Sequence, residues 1–479
     1  MTNRLHKFLI LIALFISTKN LVAQEYVVDY TFLGSRTKFE LLVLFGQLVD
    51  YDIDLYKIRY KTLDINMQPD TASGLLVLPQ VPSDTQLPIV VYGHGTTSGP
   101  TDVPSQLRGG FEVAMAYAGK GFATAAPDYL GLGDSRGFHP YVHAASEASA
   151  SLDMLFATYE FLELNDPDYD PNFLFLSGYS QGGHASMALH KEIEDFWSII
   201  IPVTAATHMS GPYSLSGVMR DKILSDESYN SPAYIAYIFL GYNEVYNLYN
   251  DVSEVFKEPY ATSIESFYNG NINLTMLNAT LITQLNAGGD TIVKRMLQDS
   301  IVEALANDIN HPLNIALQEN DTYNFAPTSP TKLYYCGGDI TVSPANSLVA
   351  EAEMNALGAI DLEAVDLNSG LTHGACVFPA VLSSIDFFLS FVNGTGIEDL
   401  DKNADQLTVY PNPAFDEITV RWNEASAGMD YLIIDAKGVT VSQGHSSSDR
   451  ISVSGLTSGL YTVICTAGRT TRVARILRP

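Results

Sequence analysis

Ser180 stands in Gly178-Tyr179-Ser180-Gln181-Gly182, a G-x-S-x-G spacing. The apolar run Phe173 to Ser177 leads into it, and helical spacing leaves it from Gly183 to Phe196. A serine hydroxyl is a poor nucleophile unless it is held where a base can reach it, and a sharp strand-to-helix turn does this. The turn crowds the positions two before and two after the serine, where Gly178 and Gly182 carry no side chain. The residue after the nucleophile, Gln181, would then offer its backbone N–H to a developing oxyanion. A bare G-x-S-x-G arises too often by chance to assign a function; the strand before it and the helix after it carry the weight.

A second oxyanion donor is expected upstream, where Pro88 to Tyr92 ends in Gly93-His94-Gly95-Thr96. We assign it to the Thr96 N–H, with Gly95 allowing close approach of the backbone. The bland alternative is an ordinary Gly-rich turn. A nucleophile on such a turn takes its partners in the chain order Ser, then Asp or Glu, then His. Of the ten histidines, His6 lies in the leader, His445 in the C-terminal region and His94 in the oxyanion loop. His139 and His143 precede the serine. His184 and His190 lie on the helix leaving the turn, where they pack or face solvent, and His208 and His311 follow no late strand. His373, in Gly370-Leu371-Thr372-His373-Gly374, follows the last core-like strand and is the base. Asp339, directly after the strand Lys332 to Cys336, is the acid that would hold the imidazole tautomer. Its rival Asp366 sits at the end of a strand and close to His373 in sequence. Asp128 and Asp134 shape the Gly-rich turn Asp128 to Asp134 instead. Ser343 and Pro344 read as cap and first residue of the next helix.

These residues need elements to hold them. From Tyr26 to about Val392, short apolar runs (Gly74 to Leu78, Pro88 to Tyr92, Ala123 to Pro127, Phe173 to Ser177, Lys332 to Cys336, Leu362 to Asp366) alternate with helical stretches. That alternation is the pattern of a mostly parallel sheet covered on both faces. It breaks between about Pro212 and Pro327, where helix-like segments at Ser231 to Phe256, Thr291 to Asn307 and Pro312 to Gln318 read as a helical cap. Its tyrosines (Tyr234, Tyr237, Tyr242, Tyr246, Tyr249) either line a pocket or fill the cap's own core. Residues 393–405, rich in Gly, Asp and Asn, read as a linker, and 406–479 as a small all-β sandwich.

The first 23 residues read as a signal peptide: a basic start, the apolar run Phe8 to Ile16, and Ala23 before the cut, with Leu21 larger than usual at its place. The run is too short to span a bilayer, so no transmembrane segment is expected in the mature chain; a retained membrane helix is the alternative. The 479 residues carry a formal net charge of -28, which excludes the basic footprint of a nucleic-acid binder. Of three cysteines, Cys336 and Cys376 each lie three residues from Asp339 or His373. In an oxidising compartment they could bridge the two loops; two buried thiols is the alternative. Asn165 to Asp170 holds alternating carboxylates but lacks the Gly and terminal Glu of a calcium loop, so a solvated turn is the reading and no metal is expected.

From about Ile58 to Val392 the chain resembles secretory lipases and related esterases of the α/β-hydrolase superfamily, including the fungal lipase A type with its large helical cap. The resemblance rests on Ile58-Arg59-Tyr60-Lys61-Thr62, Tyr92-Gly93-His94-Gly95-Thr96, Ala126 to Gly133, Gly178 to Gly183 and Thr372-His373-Gly374. It implies a Ser180, Asp339 and His373 triad in a hydrolase domain over 24–392, with a cap at about 212–327. It also implies hydrolysis of a small-molecule or lipid ester without cofactor or metal. The cap sequence and the cysteine pair depart from that pattern. The end of the chain resembles a type IX secretion sorting domain of Gram-negative bacteria through Val409-Tyr410-Pro411-Asn412-Pro413, Gly455 to Tyr461 and the basic stretch Arg472 to Arg478. This implies export by that machinery, then removal or surface attachment. A carbohydrate-binding sandwich is the alternative for this region. For the whole chain, the alternatives are a serine peptidase on the same fold and a non-catalytic surface-binding protein.

Overall fold

The computed structural model describes residues 26–45, 49–82, 85, 87–165, 169–392, 407–410, 414, 416–421, 428–435, 439–457, 459–467 and 470–478. The expected signal peptide, the expected linker, and Asp166 to Asp168 of the carboxylate-rich turn lie outside them. The chain runs β1 (Val27–Arg36), α1 (Lys38–Phe45), β2 (Ile53–Leu63), β3 (Pro69–Pro79), β4 (Leu87–Gly93), α2 (Phe111–Gly119), β5 (Ala123–Pro127), α3 (Ala144–Asn165), β6 (Tyr169–Tyr179), α4 (Gln181–Phe196) and β7 (Ala205–Met209). It then leaves the sheet for α5 (Arg220–Leu224), α6 (Pro232–Tyr246), α7 (Tyr260–Tyr268), α8 (Leu274–Ala287), α9 (Asp299–Asn307) and α10 (Pro312–Glu319). It returns through β8 (Thr331–Tyr335), α11 (Ala345–Ala356), β9 (Leu362–Asp366) and α12 (His373–Val392).

Among the described residues, β1 to β9 form one sheet in the order β1-β2-β3-β5-β4-β6-β7-β8-β9. The β5 to β9 side is parallel throughout, and the pairings β1 with β2, β2 with β3 and β3 with β5 are antiparallel. Alternation along the central strands explains why their sequence reads as unbroken apolar runs. Val90, Tyr92, Phe175 and Tyr179 face one layer with α1, α2 and α12, while Ile89, Val91, Leu174 and Leu176 face α3 and α4 on the other. The helices between β7 and β8 enclose a separate apolar core that includes Leu240, Phe256, Leu277 and Leu281.

Several elements depart from the sequence reading. Strands β1, β2 and β7 are additional to those read from the sequence: β1 and β2 are rich in Val, Ile, Tyr and Thr, whereas β7 is built of Ala205, Ala206, Thr207, His208 and Met209, all buried. The helix expected to Phe256 stops at Tyr246, because Asn247 turns left-handed (φ 50°) and caps it. The helix expected from Thr291 starts only at Asp299, since Leu297 is extended and bridges to Phe256. Helices α7 and α8 were not expected. Ser343 and Pro344 precede α11, and the Ser343 hydroxyl accepts the Ala345 N–H at 3.3 Å.

The C-terminal region comprises β10 (Thr408–Tyr410), β11 (Glu417–Arg421), β12 (Met429–Asp435), β13 (Thr440–Ser446), β14 (Arg450–Ser452), β15 (Gly459–Ala467) and β16 (Thr470–Arg478). They form two antiparallel sheets, β10-β11-β14 and β13-β12-β15-β16, over a core that includes Ile418, Val420, Ile433, Val463 and Ile476.

Histidines are unusually deep in the first region. Burial pushes His139 down to about 3 and His143 to about 4, and lowers His190 and His208 as well. The unfolded chain takes these protons below about pH 6.5 while the folded chain does not. Their stabilisation is therefore complete above that pH and drains away as the pH falls toward 4. Asp153, raised to about 6 by burial, and Asp128 and Asp321, also raised by burial, work in the opposite sense, but they are three groups against five histidines, His94 being lowered as well. Denaturant melts between pH 7 and pH 4 are expected to lose stability faster than the ~1.4 kcal/mol per pH unit of one titrating group. A flat profile over that range would contradict this.

Candidate active site

Strand β6 ends on Tyr179, and Ser180 sits alone between it and α4 with φ 61° and ψ -123°. For a residue with a side chain this is a strained backbone, costing on the order of 1–3 kcal/mol, and it persists only where neighbours over-determine it. Those neighbours are backbone. A Cβ on Gly178 would collide with the Gly182 carbonyl, and one on Gly182 with the Gly93 carbonyl at the end of β4. The Ser180 N–H is tied to the Met209 carbonyl of β7 at 2.9 Å, and the Ser180 carbonyl accepts the N–H groups of Gly183 and His184. The glycines are thus spacers that let three strand ends and one helix start meet.

The hydroxyl so presented lies 2.9 Å from His373 Nε2, and His373 Nδ1 lies 2.5 Å from Asp339 Oδ2. The other oxygen of Asp339, Oδ1, accepts the N–H groups of Thr341 and Val342, each at 2.9 Å, which fixes the carboxylate plane. Asp339 is buried and His373 is the first residue of α12. Its carbonyl accepts the Tyr179 hydroxyl at 2.6 Å. Burial drives that phenol far above its ordinary range, so it remains a donor. A disulfide joins Cys336 and Cys376, linking the turn that carries Asp339 to the first turn of α12. Asp366 serves otherwise: its Oδ1 accepts the N–H of Gly337 at 3.0 Å and of Asn368 at 3.0 Å, bracing the loop from outside.

Gly95 packs against Ser180, a Cβ there falling 3.7 Å from Ser180 Cβ. Thr96 beside it is held by its hydroxyl, 2.7 Å from the Tyr141 hydroxyl. Tyr141 stacks on Tyr237 of α6, with ring centroids 4.4 Å apart and planes 6° apart. The buried His94 ring, kept neutral by burial, sits with Nδ1 2.8 Å from the Gly95 carbonyl. Gln181 opens α4, so its N–H has no acceptor within the helix. The insertion touches two of these loops: Tyr229 donates to the Thr341 carbonyl at 3.0 Å, and the Leu274 N–H donates to the Ser98 carbonyl at 2.9 Å. Of the tyrosine run, Tyr237 and Tyr242 are buried in the inserted core, and Tyr234, Tyr246 and Tyr249 pack around it.

Of the two alternatives for His184 and His190, packing or facing solvent, the structure has the first: both are fully buried and hydrogen-bonded. His190 Nδ1 lies 3.2 Å from His208 Nε2 and its Nε2 3.0 Å from Ser329 Oγ. His184 lies 2.6 Å from Glu147, a residue that sequence reasoning missed. The signal was there: Glu147 is a lone charge in the small-residue run Ala144 to Ser151.

With this geometry in view, solved structures of similar shape are informative. A provisionally named hydrolase of Legionella pneumophila superposes with a TM-score of 0.71 at 26% identity, over 78% of this chain and 100% of that one. The rice cell wall degrading esterase LipA of Xanthomonas oryzae gives 0.67 at 26% identity, over 78% and 98%. Lipase A of Candida antarctica, in its closed state, gives 0.57 at 14% identity, over 78% and 84%, and shares the fold. The covered part therefore has the α/β-hydrolase fold. Residues 408–477 match the model of a secretion system C-terminal sorting domain, the mark of proteins sent out by the type IX route to the medium or the cell surface. No curated protein matches the sequence.

The Cys336–Cys376 link closes a loop with a sequence separation of 40. By chain entropy a loop of that size contributes about 4 kcal/mol. Replacing both cysteines by serine is expected to lower the melting temperature measurably; an unchanged melting curve would remove the disulfide from the account.

Proposed function

Starting from a secreted hydrolase with the α/β-hydrolase fold, we propose that the chain is a serine carboxylester hydrolase working through Ser180, His373 and Asp339. The observation that carries the reading is the unbroken hydrogen-bond line from Ser180 Oγ through the imidazole to the buried Asp339. Ser180 Oγ attacks the ester carbonyl while His373 Nε2 takes its proton. Asp339 keeps the second imidazole proton on Nδ1 and stabilises the imidazolium. The charge on the carbonyl oxygen falls to the N–H groups of Thr96 and Gln181, each such donor being worth about 10²–10³ in rate. His373 returns the proton to the departing alkoxide, leaving an acyl group on Ser180. Water, deprotonated by the same imidazole, then releases the acid. No step calls on a metal.

Ester rather than amide chemistry is supported by the similar structures described as an esterase and a lipase. The reading extends to the chain's domains: a hydrolase body over 24–392 with the cap at about 212–327, and an export address over 406–479 that takes no part in the reaction.

Ser180→Ala is expected to lower kcat for a short nitrophenyl ester by at least ~10⁴-fold while the melting curve stays in place. Activity retained in that variant would defeat the assignment, and preference for an anilide over the matching ester would move it to a peptidase.

A further inference from the structure

Gln181 is assigned an oxyanion-binding N–H at the first position of a helix, where no intrahelical bond restrains it. Its aim must come from elsewhere, because a misplacement of about 1 Å in such a group can cost 10²-fold. The restraint is on its side chain, which is 1% exposed. Gln181 Nε2 lies 2.8 Å from His139 Nε2 and 2.9 Å from Glu147 Oε1. His139 Nδ1 faces the Leu130 carbonyl at 2.7 Å, so its one proton is there and Nε2 presents a lone pair. Burial keeps that ring neutral. Both amide hydrogens of Gln181 are therefore used, and a flipped carboxamide would set oxygen against a carboxylate and a lone pair.

Glu147 is itself fully buried on α3. Its second oxygen, Oε2, lies 2.6 Å from His184 Nδ1, and His184 Nε2 lies 2.9 Å from the Asn320 carbonyl. A carbonyl oxygen only accepts, so His184 carries its Nε2 proton, and a further proton lies between Nδ1 and the carboxylate. The buried acid is paired with a buried base, so removing either alone would leave the other without its partner in the core. Asn320 continues the line: its Oδ1 accepts the Ala144 N–H at 2.7 Å and its Nδ2 donates to the Tyr246 hydroxyl at 2.9 Å. One buried network thus joins the residue after the nucleophile to the first turn of α3 and to the inserted helix α6.

We propose that Glu147, held by His184, is a positioning residue for the oxyanion hole: it fixes the Gln181 carboxamide and through it the direction of the Gln181 N–H. This rests on the esterase reading above. It goes beyond the three hydrogen-bonded residues of the triad, since Glu147 touches no reacting atom.

The test pairs steady-state kinetics on a nitrophenyl ester with inhibition by an alkyl trifluoromethyl ketone. That probe forms a bond from Ser180 Oγ to its carbonyl carbon, passes the Ser180 proton to His373 and leaves an oxyanion. Glu147→Ala is expected to lower kcat by about 10- to 100-fold with KM within about twofold, and to raise the ketone Ki by the same factor as kcat/KM falls. Glu147→Gln recovers most of that loss, because its amide can donate to His184 and its oxygen can accept from Gln181. Where Glu147→Ala fails to fold, the charge-free double variant E147L/H184L replaces it, removing both members of the pair at once. A folded Glu147→Ala or double variant with kcat and Ki both near wild type overturns the proposal. So does a fall in kcat with no change in Ki, and so does failure of both variants to fold, which assigns the pair to the core. Failure of the esterase reading looks different: the wild-type protein then neither hydrolyses the ester nor binds the ketone.

Discussion

Ser180 is held at φ 61° and ψ -123° by backbone packed on backbone. Gly93, Gly178, Gly182 and Gly183 come together where β4, β6 and β7 end and α4 begins, and no side chain fits between them. That crowding does two things at once. It lifts the hydroxyl clear of the sheet, and it leaves the first N–H groups of α4 open beside it. Every other part of the site is arranged around that point, including the Gly95-Thr96 loop on one side and the α12 start on the other.

The partners of the serine come from far apart in the chain and are locked to one another before they reach it. The Asp339 turn and the His373 helix are joined by the Cys336–Cys376 disulfide, and Tyr179, the residue before Ser180, holds the His373 carbonyl. Imidazole, carboxylate and hydroxyl therefore share a frame that does not depend on long loops. The inserted helices contribute further fixings through Tyr229, Tyr237 and Leu274 rather than standing away from the site.

Where a position had to be one residue type, the sequence was legible. The glycines around Ser180, the Asp after a strand and the His before a long apolar helix stand out because local geometry demands them, and the chain brings Ser180, His373 and Asp339 within hydrogen-bond distance of one another. The central strands were legible because both of their faces are buried, which makes their runs apolar throughout. Strand β7 was not, since only Thr207 among its five residues has a marked strand preference and its two alanines have little. The ends of the inserted helices were missed for a related reason: Asn247 and Leu297 act through backbone conformation and a long-range bridge, which spacing does not encode. The network of Gln181, Glu147 and His184 was hidden because hydrogen bonds between residues 34 and 37 apart leave no periodic trace.

The central claim is that one serine hydroxyl is made nucleophilic by the imidazole 2.9 Å away. Labelling the intact protein with a fluorophosphonate, followed by peptide mass mapping, tests it without any assumption about substrate. The expected result is one adduct per chain, on Ser180, lost in His373→Ala. No adduct, or an adduct on another residue with Ser180 unmodified, would contradict it.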